Sequence, residues 1–308
     1  METVQPPNGA ESRRTAVDEA APARRVERRF QLATLMWLVL LGVTYVPLVL
    51  TETGQRLENA AVLGVELRSE AERVASLDRL SQITVVGFAA ALGAVVLVAI
   101  ARKRTALGLI VAMFMGSAVV ATEVLKMVLS RPELVTGPIW ILRNTFPSGT
   151  AATAAAVAVG ALLISPDRLR WAVLIVVSLY VVIVAEALQA TGWHRMSDTI
   201  GGVLVVCIAA TLALGFLTRQ RMTRPSTHGR VHSRVRSGLI VLATVPILLG
   251  AVIVLVSAAF PLLPSPTDRD GAVLQTAFPL IGSGICGLLV IVTGWLVEPY
   301  TLGRPADA

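Results

Sequence analysis

The sequence predicts an all-α, polytopic membrane helical bundle, and three observations carry that prediction. Hydrophobic residues make up 55% of the 308 and charged residues only 15%, a balance outside that of soluble domains. The mean hydropathy is +0.72. The apolar residues also gather in eight runs of span length, about 17 to 25 residues each. These features exclude a soluble enzyme. The net charge of +7 would suit nucleic acid, but Lys and Arg fall mainly in short loops between apolar runs, where charge sets orientation. No nucleic-acid partner is expected. The two cysteines, Cys207 and Cys286, both lie inside apolar runs, so neither a disulfide framework nor a thiolate metal site is indicated. Neither a metal nor a cofactor is expected.

Residues 1–30 hold Pro, Ala, six Arg and five acids with no apolar period, which predicts a disordered cytoplasmic tail. The first apolar run, 31–50, is span length and begins too late for a cleavable signal, so it reads as a retained anchor. The stretch 51–81 carries Ala60, Leu63, Leu67, Ala71, Val74 and Leu77 at helical spacing, predicting a short amphipathic helix that lies at the membrane surface or caps the bundle. Further spans are expected at 82–101, 105–129, 149–165, 171–190 and 199–217. The fourth span, 149–165, is short and rich in Ala and Gly, which calls for close packing or an earlier start. A basic loop, 218–237, carries His228 and His232, read as solvated. The spans 238–258 and 278–298 and a tail, 299–308, complete the chain. Of the 27 basic residues, 18 fall on the side of the termini and 8 on the other, with Lys126 inside the third span. That bias places both termini in the cytoplasm of an integral plasma-membrane protein. Lys103 and Lys126 are the only lysines, an Arg preference that suits a high-GC bacterium, whose outer membrane face looks onto the cell envelope.

Ionisable groups at or inside spans are costly unless paired or functional, and here they collect on the outer side. Glu123 and Lys126 share one helical face near the end of the third span, followed by Arg131-Pro132. The loop Asn144-Thr145-Phe146-Pro147-Ser148-Gly149-Thr150 leads into the fourth span. After the fifth comes Gly192-Trp193-His194-Arg195-Met196-Ser197-Asp198. Lys126 and Arg131 supply positive charge, and Ser148 and Gly149 at a helix start offer N–H donors and a positive dipole end suited to phosphate. His194 and Asp198, four residues apart, allow a carboxylate to fix one imidazole nitrogen while the other faces an anion. Such a histidine has the makings of a nucleophile.

These residues resemble the signature of the type 2 phosphatidic acid phosphatase (PAP2) superfamily, which reads Lys-x6-Arg-Pro, Pro-Ser-Gly-His and Ser-Arg-x5-His-x3-Asp. The first part matches as Lys126 and Arg131-Pro132, but with four intervening residues instead of six. That five-residue step turns about 140° around a helix, so the pair converges only if the helix ends near Ser130. The second matches as Pro147-Ser148-Gly149, with Thr150 where the family has its acid histidine. The third matches as His194 and Asp198, with Ala187-Leu188 in place of Ser-Arg. The resemblance implies a six-helix PAP2-like core over residues 31–217, plus two additional C-terminal transmembrane helices. It implies His194 and Asp198 as catalytic nucleophile and orienting acid, with Lys126, Arg131, Ser148 and Gly149 binding phosphate. Arg195 and Arg143 are candidate substitutes for the missing arginine, and Thr150 occupies the acid's position. The implied function is a metal-free phosphatase hydrolysing a lipid (di)phosphate at the extracytoplasmic face through a phosphohistidine. The alternative is a catalytically degenerate relative that binds a phosphorylated lipid or partner without hydrolysis. A threonine hydroxyl is too weak an acid to protonate an alkoxide, whereas a lipid diphosphate releases a lipid monophosphate whose second pKa is about 6. Prenyl diphosphate is therefore the favoured partner.

Overall fold

The computed structural model describes residues 9–67, 69–81, 84–226, 233–259 and 266–303. Eleven α-helices follow in order: α1 (Gly9–Val49), α2 (Glu52–Leu63), α3 (Glu70–Ser81), α4 (Val85–Ala101), α5 (Thr105–Val128), α6 (Ile139–Leu142), α7 (Gly149–Ile164), α8 (Arg170–Ala190), α9 (Met196–Arg219), α10 (Ser233–Ala259) and α11 (Pro266–Val297). Six of them are long and apolar enough to cross a bilayer, over Ala23–Val49 of α1, the whole of α5, α8 and α9, Val235–Val256 of α10 and Gly271–Val297 of α11. The chain is thus a multi-pass membrane protein built as a helical bundle.

The two remaining apolar helices expected as spans, α4 and α7, are shorter, at 17 and 16 residues. At 1.5 Å per residue α7 is about 24 Å long, less than the hydrocarbon core of a bilayer. It starts at Gly149, where the chain was expected to enter the helix, and packing accounts for its brevity. It is the central helix, touching α4, α5, α8 and α9, and its Ala-rich surface is buried along most of its length. Small side chains let neighbours approach closely. At Gly202 of α9 a Cβ would lie 2.4 Å from the carbonyl oxygen of Ser148. By contrast α1 and α10 bury only 17% of their apolar windows and turn Leu and Val outward, as a lipid-facing wall does.

Three expectations need correction. The helix α1 begins at Gly9, so most of the stretch read as a disordered tail is helical; its Ala, Arg and Glu are strong helix formers. Its last turns are also anchored, with Phe30 fully buried and Glu27 2.7 Å from Arg219. The stretch 51–81 forms two helices joined by a 3-10 turn, Gly64–Leu67, where one was expected, and its apolar stripe is left uncovered by the bundle, as on a membrane-surface helix. Leu63, Val74 and Leu77 are exposed, while Gln55, Glu58 and Asn59 are buried. Finally, the basic loop contributes a strand, β1 (Thr223–Pro225), that pairs antiparallel with β2 (Tyr300–Leu302) from the C-terminal tail. His228, His232 and Arg304 lie outside the described residues. Of the last two helices, α11 packs along α8 and α9 and against α2, and its Cys286, Val290 and Ile291 belong to the same hydrophobic core as α5, α7 and α9, whereas α10 packs chiefly on α11.

Candidate functional site

The residues of the candidate site gather at one end of the bundle, where α5 and α8 finish and α7 and α9 begin. The positively rotated Gly192 (φ +72°) turns the chain out of α8, a conformation that costs glycine little. The backbone N–H of His194 then returns to the carbonyl of Leu188 at 3.2 Å. This sets the imidazole beside the first turn of α9, with Nδ1 3.6 Å from Asp198 Oδ2. His194 is 13% exposed and Asp198 is wholly buried. The carboxylate is itself held, because Oδ2 accepts from the Thr145 hydroxyl at 2.5 Å and from the N–H of Arg195 at 3.0 Å. At 3.6 Å the contact is within ion-pair but not hydrogen-bond distance, and His194 Nδ1 is buried with no hydrogen-bond partner; a protonated Nδ1 would face the carboxylate and leave Nε2 for a ligand.

The loop into α7 is tied to both neighbours. Asn144 donates to the carbonyls of Lys126 and Leu129 at 3.1 and 2.6 Å, and its own oxygen accepts from the N–H of Phe146 at 3.1 Å. The N–H of Ser148 donates to the carbonyl of Asp198 at 2.8 Å, so the α7 start and the His–Asp pair are registered to each other. Ser148 caps the helix, its hydroxyl accepting from the N–H of Ala151 at 3.2 Å. It is fully buried and its hydroxyl faces the helix.

A cleft of about 370 Å³ opens on this arrangement, lined by Glu123, Lys126, Gly149, Thr150, Thr153 and His194, with Phe88 and Val119 as an apolar wall. Lys126, the α7 start and the imidazole, distant in sequence, therefore share one cavity. Lys126 Nζ lies 3.0 Å from each carboxylate oxygen of Glu123.

The arginines are placed elsewhere. The helix α5 ends at Val128, and Leu129 is extended, but Arg131 turns away from the cleft, its Nη2 3.4 Å from Glu58 Oε2 with both side chains buried. Arg195 is buried too. Its Nε donates to Asn59 Oδ1 at 3.0 Å, Nη1 to the Thr145 hydroxyl at 2.9 Å and Nη2 to the carbonyl of Ile141. It supports the pair through Thr145 and does not reach out as a phosphate ligand. Arg143 is exposed and does not line the cleft.

The helix α2 supplies the residues that sequence reasoning missed. Glu58 accepts from the N–H of Ser197 at 2.7 Å and from its hydroxyl at 2.8 Å, Asn59 holds Arg195, and Gln55 donates to the carbonyls of Val49 and Pro132 at 2.8 and 2.6 Å. The 55, 58, 59 spacing, one helical face, was the available signal. Burial, seconded by the charge of Asp198, pushes the Glu58 carboxyl up to about 7 against the opposing pull of Arg131 and Ser197. Among the described residues no group of three His, Cys, Asp or Glu side chains is placed to hold a metal ion. Comparison with family models, with curated proteins and with solved structures finds no match.

Proposed function

We propose that the protein is a PAP2-type membrane phosphohydrolase that takes the phosphoryl group of a lipid, a prenyl diphosphate above others, in the cleft between α5 and α7. Both termini then lie in the cytoplasm and the cleft faces outside. The observation that supports this reading is the meeting of Lys126, the α7 start and His194 in one cavity, with Asp198 fixed behind the imidazole. In the reaction, His194 Nε2 attacks the terminal phosphorus and the bond to the bridging oxygen breaks. The lipid monophosphate leaves with the electron pair, and Asp198 stabilises the charged ring. Water then attacks the phosphohistidine, releasing inorganic phosphate and restoring the imidazole. Lys126 and the first N–H groups of α7 stabilise charge on the phosphoryl oxygens. Thr150 cannot act as the acid, so a leaving group that needs no protonation is required.

A second reading, binding without turnover, is favoured by the burial of Arg131 and Arg195 in structural contacts. That leaves Lys126 as the cationic side chain on the cleft. Phosphate release by the purified chain from farnesyl diphosphate and farnesyl monophosphate separates the two. The enzyme reading expects release from the diphosphate, abolished in His194→Ala and reduced about 10- to 100-fold in Lys126→Ala, the value of one charge-assisted bond. Release no greater than that of His194→Ala, with lipid binding kept in His194→Ala and lost in Lys126→Ala, would establish the binder instead.

A further inference from the structure

The cleft already contains an anion, and the chain supplies it. Both oxygens of the Glu123 carboxylate lie 3.0 Å from Lys126 Nζ. The pair rests on the first residue of α7, because a Cβ at Gly149 would come within 2.0 Å of Glu123 Oε1 and 3.5 Å of Lys126 Nζ. The first N–H groups of a helix have no partner within it, and they carry the positive end of its dipole. A carboxylate set there, on a lysine and in the same cavity as His194, stands where an incoming phosphoryl group would have to sit. With the carboxylate in place the lysine charge is cancelled. An approaching anion gains little until that side chain swings aside, and at 52% exposed it has room to do so.

We propose that Glu123 is a built-in competitor that sets the selectivity of the cleft: its carboxylate occupies Lys126 beside the α7 start until an anion with more oxygens and more charge, a phosphoryl or diphosphoryl group, displaces it. This rests on the reading above that the cleft takes a phosphorylated group. A simple carboxylate ligand offers Lys126 only what Glu123 offers already, from a side chain three residues away on the same helix. A phosphoryl group presents three oxygens, enough to engage Lys126 and the α7 amides together. The lysine therefore stays occupied when no ligand is present, and weak anions are turned away.

The test is equilibrium binding to the full chain in detergent, with acetate, inorganic phosphate, inorganic diphosphate and farnesyl diphosphate as probes. Glu123→Gln keeps the shape of the side chain and removes its charge. It is expected to bind phosphate about two- to fivefold more tightly, the worth of a partly exposed ion pair, and to take up acetate that the parent chain excludes. Glu123→Ala should match it, and Lys126→Ala should lose binding. If the parent binds phosphate, Lys126→Ala does not, and Glu123→Gln shows the parent's affinities or weaker ones, the competitor role is wrong while the cleft remains a phosphate site. If neither the parent nor Glu123→Gln binds any phosphoryl probe, both readings fall. Farnesyl diphosphate binding more tightly than inorganic diphosphate assigns the ligand to lipid, and equal affinities assign it to the free anion; either supports the competitor, provided Glu123→Gln tightens it.

Discussion

Glu58 links the helix α2 to the start of α9 through two hydrogen bonds to Ser197, the residue before Asp198. Such a carboxylate, cut off from water, keeps its proton to a higher pH than an exposed one. Its value of about 7 lies above the ordinary 4.5, so between the two the folded chain holds a proton that the unfolded chain has lost. The linkage sign follows: this contribution to stability is complete below the unfolded value and is lost as pH rises through about 7. Thermal unfolding in detergent should therefore show stability falling from pH 5 to pH 7.5, by roughly 1 to 3 kcal/mol for a shift of this size. Glu58→Gln, which cannot titrate, should flatten that slope. A Glu58→Gln protein with the same slope as the parent would place the titration on another group.

Between elements, the contact that positions the site is the crossing of α7 and α9. Gly202 permits it, since a Cβ there would meet the Ser148 carbonyl at 2.4 Å and the Ala151 Cβ at 3.2 Å, and a backbone oxygen cannot step aside as a side chain can. Gly202→Ala should cost about 1 to 3 kcal/mol, the usual range for overpacking, and should disturb the Ser148–Asp198 hydrogen bond with it. A lower unfolding midpoint with reduced phosphate binding is the expected result; an unchanged midpoint would mean the helices can part without loss. The helices themselves were readable because span-length apolar runs announce themselves without tertiary information. The closeness of His194 and Asp198 was readable because only four residues separate them across a helix start, with His194 in the turn before α9 and Asp198 in its first turn. The fate of Arg131 and Arg195 was not. Their partners Glu58 and Asn59 lie 73 and 136 residues away, on a helix whose polar face resembles a solvated one until something packs on it. The β1–β2 pair was hidden for a similar reason: three residues on each strand are too few to show a period.

Across the whole molecule, the polar elements separate into two ends. One holds the cleft, α2 and the loop before α7. The other holds the turn from α4 to α5, the β1–β2 ribbon and Asp167, whose carboxylate receives hydrogen bonds from Ser226 and Thr301 and pairs with Arg170 at 2.9 Å. Basic residues crowd the second end: Arg102 reaches the carbonyl of Ile164 and Arg104 that of Leu302, at 2.9 Å. A surplus of Arg and Lys on one flank of a bundle retains that flank on the cytoplasmic side during insertion, so the cleft should face outward. Cysteine labelling can measure this directly, because Cys207 and Cys286 are both buried and give little background. Arg143 at the cleft end and Lys103 at the opposite end are both exposed. A membrane-impermeant maleimide added to intact cells should label Arg143→Cys at once and Lys103→Cys only after permeabilisation. The reverse pattern would put the cleft in the cytoplasm, and a lipid phosphate of the inner leaflet would then be the group to test against Lys126 and His194.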